Sequence, residues 1–305
     1  MKKIIFFLTL LLFVFTYDSL LFKDTTYDLY NKYIEKYSVK IINNENYLNK
    51  KKNKKEDLYI YKEYNDDNVK NKNELINKMF TIINNGYDNY TFYCKYDKCI
   101  EDIKNLENDI KLKHINDFVK TYNKYKNIKT ASYSNGKIDI KINKLYTEED
   151  IKILDDYINN IIDEYSINNY NDINIKIKIF HDYLINHSSY DEDYINNHEN
   201  GNESNKANGP LLHHKGVCSG YSDAMSIFLD KININNIKIS NDIHVWNAVN
   251  IDNTWYNIDS TFDDPVTNTH EDYLLHEYFM ISKEEITSKG DQEHIIDYEI
   301  YNFIN

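Results

Sequence analysis

His244-Val245-Trp246-Asn247-Ala248-Val249-Asn250-Ile251 and Thr254-Trp255-Tyr256-Asn257-Ile258-Asp259-Ser260-Thr261 are two β-prone runs separated only by Asp252-Asn253. Aspartate and asparagine suit a two-residue turn, so the pair reads as a tight hairpin. The turn sets the register: Ile251 faces Thr254, Trp246 faces Asp259, and His244 faces Thr261. His244 and Asp259 then become diagonal neighbours on one face, within reach of each other's side chains. A slip of one residue would destroy this pairing. An aspartate inside an apolar and aromatic strand is costly without a hydrogen-bonded partner, and His244 is the obvious one.

Upstream, Gly209-Pro210-Leu211-Leu212-His213-His214-Lys215-Gly216-Val217-Cys218-Ser219-Gly220-Tyr221 brackets a cysteine with turn-forming glycines. Ala224, Met225, Ile227, Phe228 and Leu229 follow with helical spacing, which puts Cys218 at or just before a helix N-terminus. The positive end of a helix favours a thiolate, and its free N–H groups can donate to an oxyanion. A cysteine, a histidine to take its proton and an aspartate to orient the imidazole together make a nucleophile for acyl transfer. The sulfur attacks a carboxamide or peptide carbonyl, the imidazole protonates the leaving amine, and an amine or water resolves the thioester.

This order of motifs, ending in Trp255-Tyr256-Asn257-Ile258-Asp259-Ser260-Thr261-Phe262-Asp263-Asp264-Pro265, resembles the transglutaminase-like superfamily, and in particular its bacterial extracellular members. The resemblance runs from about Ile173 to Ser282. It takes in the helix around Ile175 to Leu184 and the strand-like Tyr278-Phe279-Met280-Ile281-Ser282. It implies a papain-like α+β domain, in which a helix bearing the cysteine packs on an antiparallel sheet bearing histidine and aspartate. It also implies Cys218 as nucleophile, His244 as base and Asp259 as its partner, in a transglutaminase-like acyltransferase or a cysteine amidohydrolase or peptidase. A second oxyanion donor is expected before the cysteine loop, and Tyr190 in Ser188-Ser189-Tyr190-Asp191 is the candidate. Trp246 and Tyr221 are expected as walls of the substrate site. Ser219 and Ser222 stand where relatives often carry acidic or other residues, which touches substrate preference more than chemistry. The alternative reading is a non-catalytic surface binding or scaffolding module that keeps the fold.

The remaining histidines invite a plainer reading. His213-His214 lie in a polar loop, and His181 and His187, six apart on a helix, share no face. No metal and no cofactor is expected, although the sequence leaves open the calcium dependence of animal relatives.

Working back to the N-terminus, Thr147-Glu148-Glu149-Asp150 opens a helix to about Tyr165. Ala131 to Ser134 and Lys137 to Ile142 flank the hairpin signal Asn135-Gly136, and a helical stretch is expected from about Ile100 to Lys124. Tyr90 to Cys94 reads as a strand, and Asn71 to Asn85 as a helix. Met1-Lys2-Lys3 and the apolar run from Ile4 to Tyr17 have the form of an export signal, and Leu20-Leu21-Phe22 resumes the apolar character. Four segments are therefore expected: a signal peptide or N-terminal membrane anchor (1–22), a charged spacer (23–56), a small α+β domain of unknown function (57–145) and a transglutaminase-like catalytic domain (146–305). The protein is expected outside the cell, secreted or anchored, where Cys94 and Cys99 would pair and leave Cys218 as the odd thiol. The 305 residues include no arginine and carry a net charge of −13, which repels nucleic acid and anionic lipid. A protein or peptide substrate at the cell surface or wall is the expected partner, and any membrane contact is expected through the N-terminal segment alone.

Overall fold

The computed structural model describes residues 60–197, 203–266, 273–296 and 298–304, all within a unit that extends from Lys50 to Asn305. The expected signal or anchor (1–22) and charged spacer (23–56) lie outside the described residues. No described helix is long and apolar enough to cross a membrane.

Strand β1 (Asn68–Val69) leads to Asn71, whose side chain accepts from the Glu74 N–H and opens helix α1 (Lys72–Asn84). The expected strand is β2 (Asn89–Cys94), and Cys94 is disulfide-bonded to Cys99, five residues on. The continuous helical stretch expected from Ile100 to Lys124 is instead broken into α2 (Cys99–Lys104), α3 (Ile110–Lys113) and α4 (Ile115–Phe118), with one 3-10 turn (Leu106–Asn108) between the first two and another (Thr121–Asn123) after the last. The cause is local. Asn105 ends the first piece, and the Asp109 side chain caps the next by accepting from Lys111 N, as short polar side chains do when they compete with the helix backbone. The Asn135-Gly136 signal gives the hairpin of β3 (Tyr125–Ser132) and β4 (Lys137–Lys144), with Gly136 at φ +84°. These strands form a first sheet in the order β1-β2-β4-β3.

Thr147 and Asp150 cap helix α5 (Glu148–Glu164) reciprocally, as the sequence indicates, and α6 (Ile173–Asn186) follows. Strand β5 (Ser189–Tyr190) and helix α7 (Glu192–Asn197) precede β6 (Lys215–Gly216), which pairs in parallel with β5. Helix α8 (Cys218–Lys231) then packs against β7 (Asn235–Ser240) and β8 (Val245–Ile251). Asp252 and Asn253 turn the chain with both φ angles positive, into β9 (Thr254–Ile258). The register is the expected one along the whole ladder, from Ile251 opposite Thr254 to Asn247 opposite Ile258. Strand β10 (Phe279–Ile281) completes a second antiparallel sheet, β10-β9-β8-β7, and α9 (Lys283–Ser288) follows. The fold is α+β, with the cysteine helix laid on this sheet.

Both faces of the second sheet are buried. Val249 and Ile258 join α5, α6 and α8 in one apolar cluster, while Ile237, Ile239, Trp246, Ala248 and Trp255 join the first sheet and α1 in another. The second cluster also holds Ile300, Tyr301 and Ile304, so the boundary expected at residues 145 and 146 does not divide the core. Alternate residues of the β7–β9 strands are apolar on each side, and the first sheet covers the side that a free-standing domain would leave wet.

A buried charged group ties the halves together. Asp223 of α8 accepts from Lys124 (2.8 and 2.9 Å), Lys238 of β7 (2.8 Å) and the Tyr146 hydroxyl (2.7 Å), which in turn accepts from the Ala207 N–H. Burial opposes ionisation of Asp223, but Lys124 and Lys238 outweigh it and hold the carboxyl below its usual range. Burial pushes Lys238 down to about 8 against the pull of Asp223. Removing the carboxylate would leave two buried ammonium groups facing each other. Asp223→Ala is expected to lower stability by about 3–5 kcal/mol in urea denaturation, the scale of a broken buried ion pair. Lys238→Met, which leaves Asp223 its other partners, is expected to cost much less.

Candidate active site

Helix α8 begins at Cys218 without a side-chain cap, because the preceding residue is Val217. The Val217 carbonyl accepts from Gly220 N (2.8 Å) and Tyr221 N (3.1 Å), while the first amides of the helix are its orphan donors. Cys218 is a free, half-buried thiol at this positive end. The flanking glycines serve close approach rather than turning, since neither Gly216 nor Gly220 has a positive φ. A Cβ on Gly220 would sit 2.3 Å from the Ser204 carbonyl oxygen, and one on Gly216 would meet Pro210 at 2.9 Å. The loop before the cysteine therefore lies directly on the first turn of the helix.

One step beyond the hairpin ladder, His244 Nε2 lies 2.5 Å from Asp259 Oδ2. The other carboxylate oxygen accepts from the backbone N–H groups of Thr261 (2.9 Å) and Phe262 (3.2 Å). With Nε2 committed to Asp259, Nδ1 is the ring nitrogen that remains, and Cys218 is close enough to act on the charge of the imidazole. Burial disfavours the imidazolium, but the charge and hydrogen bond of Asp259, then Cys218, outweigh it and raise His244 to about 10. Asp259 is likewise buried, yet His244 and then His294 hold its carboxyl well below the usual range. The structure thus joins His244 to Asp259 by a hydrogen bond and sets Cys218 at the start of α8.

Tyr190 reaches the same place by the parallel β5–β6 pair, which sets it opposite Gly216, two residues before the cysteine. Burial, then the nearby charges of Cys218, Glu293 and Asp259, push its phenol up to about 12, so it keeps a proton to donate. Tyr190, His244, Thr261, Phe262, Asp264 and Glu293 line a cleft of about 300 Å³.

Two expected walls are not walls. Trp246 and Tyr221 are each 1% exposed and neither lines the cleft. Trp246 belongs to the buried far face of the sheet, donates to Asn257 Oδ1 (3.0 Å) and lies nearly parallel to the His244 ring at 5.9 Å. Tyr221 points into the helical core, with its hydroxyl donating to Asp264, which does line the cleft. Their aromatic surface supports the site from behind.

Sequence reasoning missed the stretch after the second sheet. Glu293 Oε2 lies 3.7 Å from His244 Nδ1, and His294 Nε2 lies 2.8 Å from Asp259 Oδ2. No local pattern marks either residue. Two imidazoles and a carboxylate are also a metal-type ligand set. Their 2.5 and 2.8 Å separations are hydrogen-bond lengths, shorter than the roughly 3.4 Å between tetrahedral zinc ligands.

Because His244 binds its proton more tightly in the folded chain, its stabilisation is full below about pH 6.5 and is lost as pH rises towards about 10. His244→Gln is expected to show its largest stability deficit in urea midpoints at pH 6.5 and a shrinking one by pH 10. A deficit that does not change across this range would contradict the ion pair.

No protein-family model matches the chain, and no curated protein matches it. Among solved structures it is similar to a protein described as a TGase, with a TM-score of 0.33 and 15% identity over 48% of this chain and 48% of that one. It is also similar to a protein from Cytophaga hutchinsonii provisionally described as a cysteine protease, with a TM-score of 0.28 and 12% identity over 49% of this chain and 65% of that one. The chain spans less than two thirds of the length of either.

Proposed function

We propose that this protein is a cysteine-dependent acyl-transfer enzyme of transglutaminase type that acts outside the cell. The observation that carries the proposal is the buried Asp259–His244 pair, with a free Cys218 near it at the start of α8. Cys218 attacks a glutamine carboxamide or a peptide carbonyl, forming the carbon–sulfur bond as the carbon–nitrogen bond breaks. His244 gives its proton to the departing ammonia or amine. A second amine or water then attacks the thioester, loses its proton to His244 and releases the thiolate. The first amides of α8 and the Tyr190 hydroxyl are the donors aimed at the oxyanion.

The disulfide between Cys94 and Cys99 supports an oxidising compartment, which agrees with the export-type N-terminus. Outside the cell a surface protein or a cell-wall peptide is the natural substrate class. The test is incubation of the chain with a glutamine-bearing protein and a labelled primary amine, read by mass spectrometry beside Cys218→Ala. Amine incorporation that needs Cys218 is the expected result. Cleavage or deamidation that needs Cys218 would make the enzyme a hydrolase with the same thioester, and reaction unaffected by Cys218→Ala would refute the proposal. Tyr190→Phe is expected to lower kcat by about 10²-fold, the scale of a lost oxyanion donor, with KM nearly unchanged.

A further inference from the structure

Asp291-Gln292-Glu293-His294 returns to the site from beyond the second sheet. His294 is 2% exposed, and both of its ring nitrogens face carboxylates: Nε2 lies 2.8 Å from Asp259 Oδ2 and Nδ1 lies 2.7 Å from Asp291 Oδ1. Each ring nitrogen is thus within hydrogen-bonding distance of a carboxylate oxygen. Asp291 Oδ1 also accepts from the His294 backbone N–H at 2.9 Å, which closes the turn on itself. Tyr278 stacks on the ring at 4.9 Å, with Phe262 and Trp246 edge-on at 4.5 and 5.0 Å. The turn is tied to the reacting strand as well. The Asn241 amide donates to the carbonyls of Glu293 and Ile295, while its oxygen accepts from the N–H of His244 at 2.8 Å.

We propose that His294 is a positioning residue of the reaction: it donates to the same Asp259 oxygen that binds His244 and, braced by Asp291, holds that carboxylate against the imidazole. The inference rests on the reading of Cys218 and His244 as the reacting pair. The two backbone donors to Asp259 Oδ1 set the plane of the carboxylate, and His294 fills the second lone pair of Oδ2, which would otherwise be buried and unmet. An ionised, fixed Asp259 in turn keeps His244 Nδ1 directed at the thiol.

The test is the rate of alkylation of Cys218 by iodoacetamide at pH 7, followed by intact mass on the full chain, where Cys94 and Cys99 are disulfide-bonded. His294→Met is expected to slow alkylation about ten-fold, the scale of losing an outer partner of a functional imidazole. His294→Gln keeps one donor for Asp259 and is expected to recover most of the rate, a rescue that a purely structural role would not produce. Asp291→Ala, at the half-buried outer end, is the second probe should His294→Met fail to fold, and several-fold slowing is expected. Native rates in folded His294→Met, or in Asp291→Ala where it is the probe, would overturn the positioning role. A native Cys218 that alkylates no faster than the unfolded chain's thiol, with no response to His244→Ala, would instead remove the reading of the reacting pair itself.

Discussion

Asp259 is a carboxylate with 1% of its surface exposed, and a charge so placed must find compensation within the protein. It finds four donors: two backbone amides at Oδ1 and two imidazoles at Oδ2. The donors come from three different constraints. The amides belong to the turn that follows β9, His244 is delivered by the hairpin register, and His294 by the return of the C-terminal segment. Satisfying this one group therefore fixes the end of the second sheet and the direction in which His244 presents its remaining nitrogen.

The rest of the architecture brings the start of α8, and with it Cys218, near this pair. Helix α8 lies on the sheet through Asn247, whose amide donates to the Ser222 carbonyl at 3.0 Å, and through the Asp223 group that binds Lys124 and Lys238. The helix N-terminus is thereby placed beside the end of β8. The Tyr190 strand is added at its other side by pairing with the residues just before Cys218. Cys218, His244 and Tyr190 come from separate parts of the chain, whose mutual positions are held by buried polar contacts and strand pairing.

The hairpin was legible because a two-residue turn leaves no freedom of register, so the position of Asp259 relative to His244 followed by counting. Cys218 was legible because its apolar pattern downstream is helical and its approach is not. The role of Gly220 is not legible, since a glycine that admits a neighbouring backbone looks the same in sequence as one that turns the chain. Trp246 and Trp255 carry a signal of wider reach: large apolar residues alternating with Val249 and Ile258 mark a sheet buried on both faces. That pattern already spoke against a domain boundary before α5. His294 lies 35 residues from Asp259 and gains its meaning only when the chain closes on itself, so no local spacing announces it.

The most direct measurement of the central claim is intact-mass analysis of the full chain after rapid mixing with an activated acyl ester. The account requires one acyl group on Cys218 within the first turnover, as a burst followed by slower release, and loss of that burst in His244→Ala. Acylation at other residues only, or a burst at Cys218 that is unchanged without His244, would contradict it.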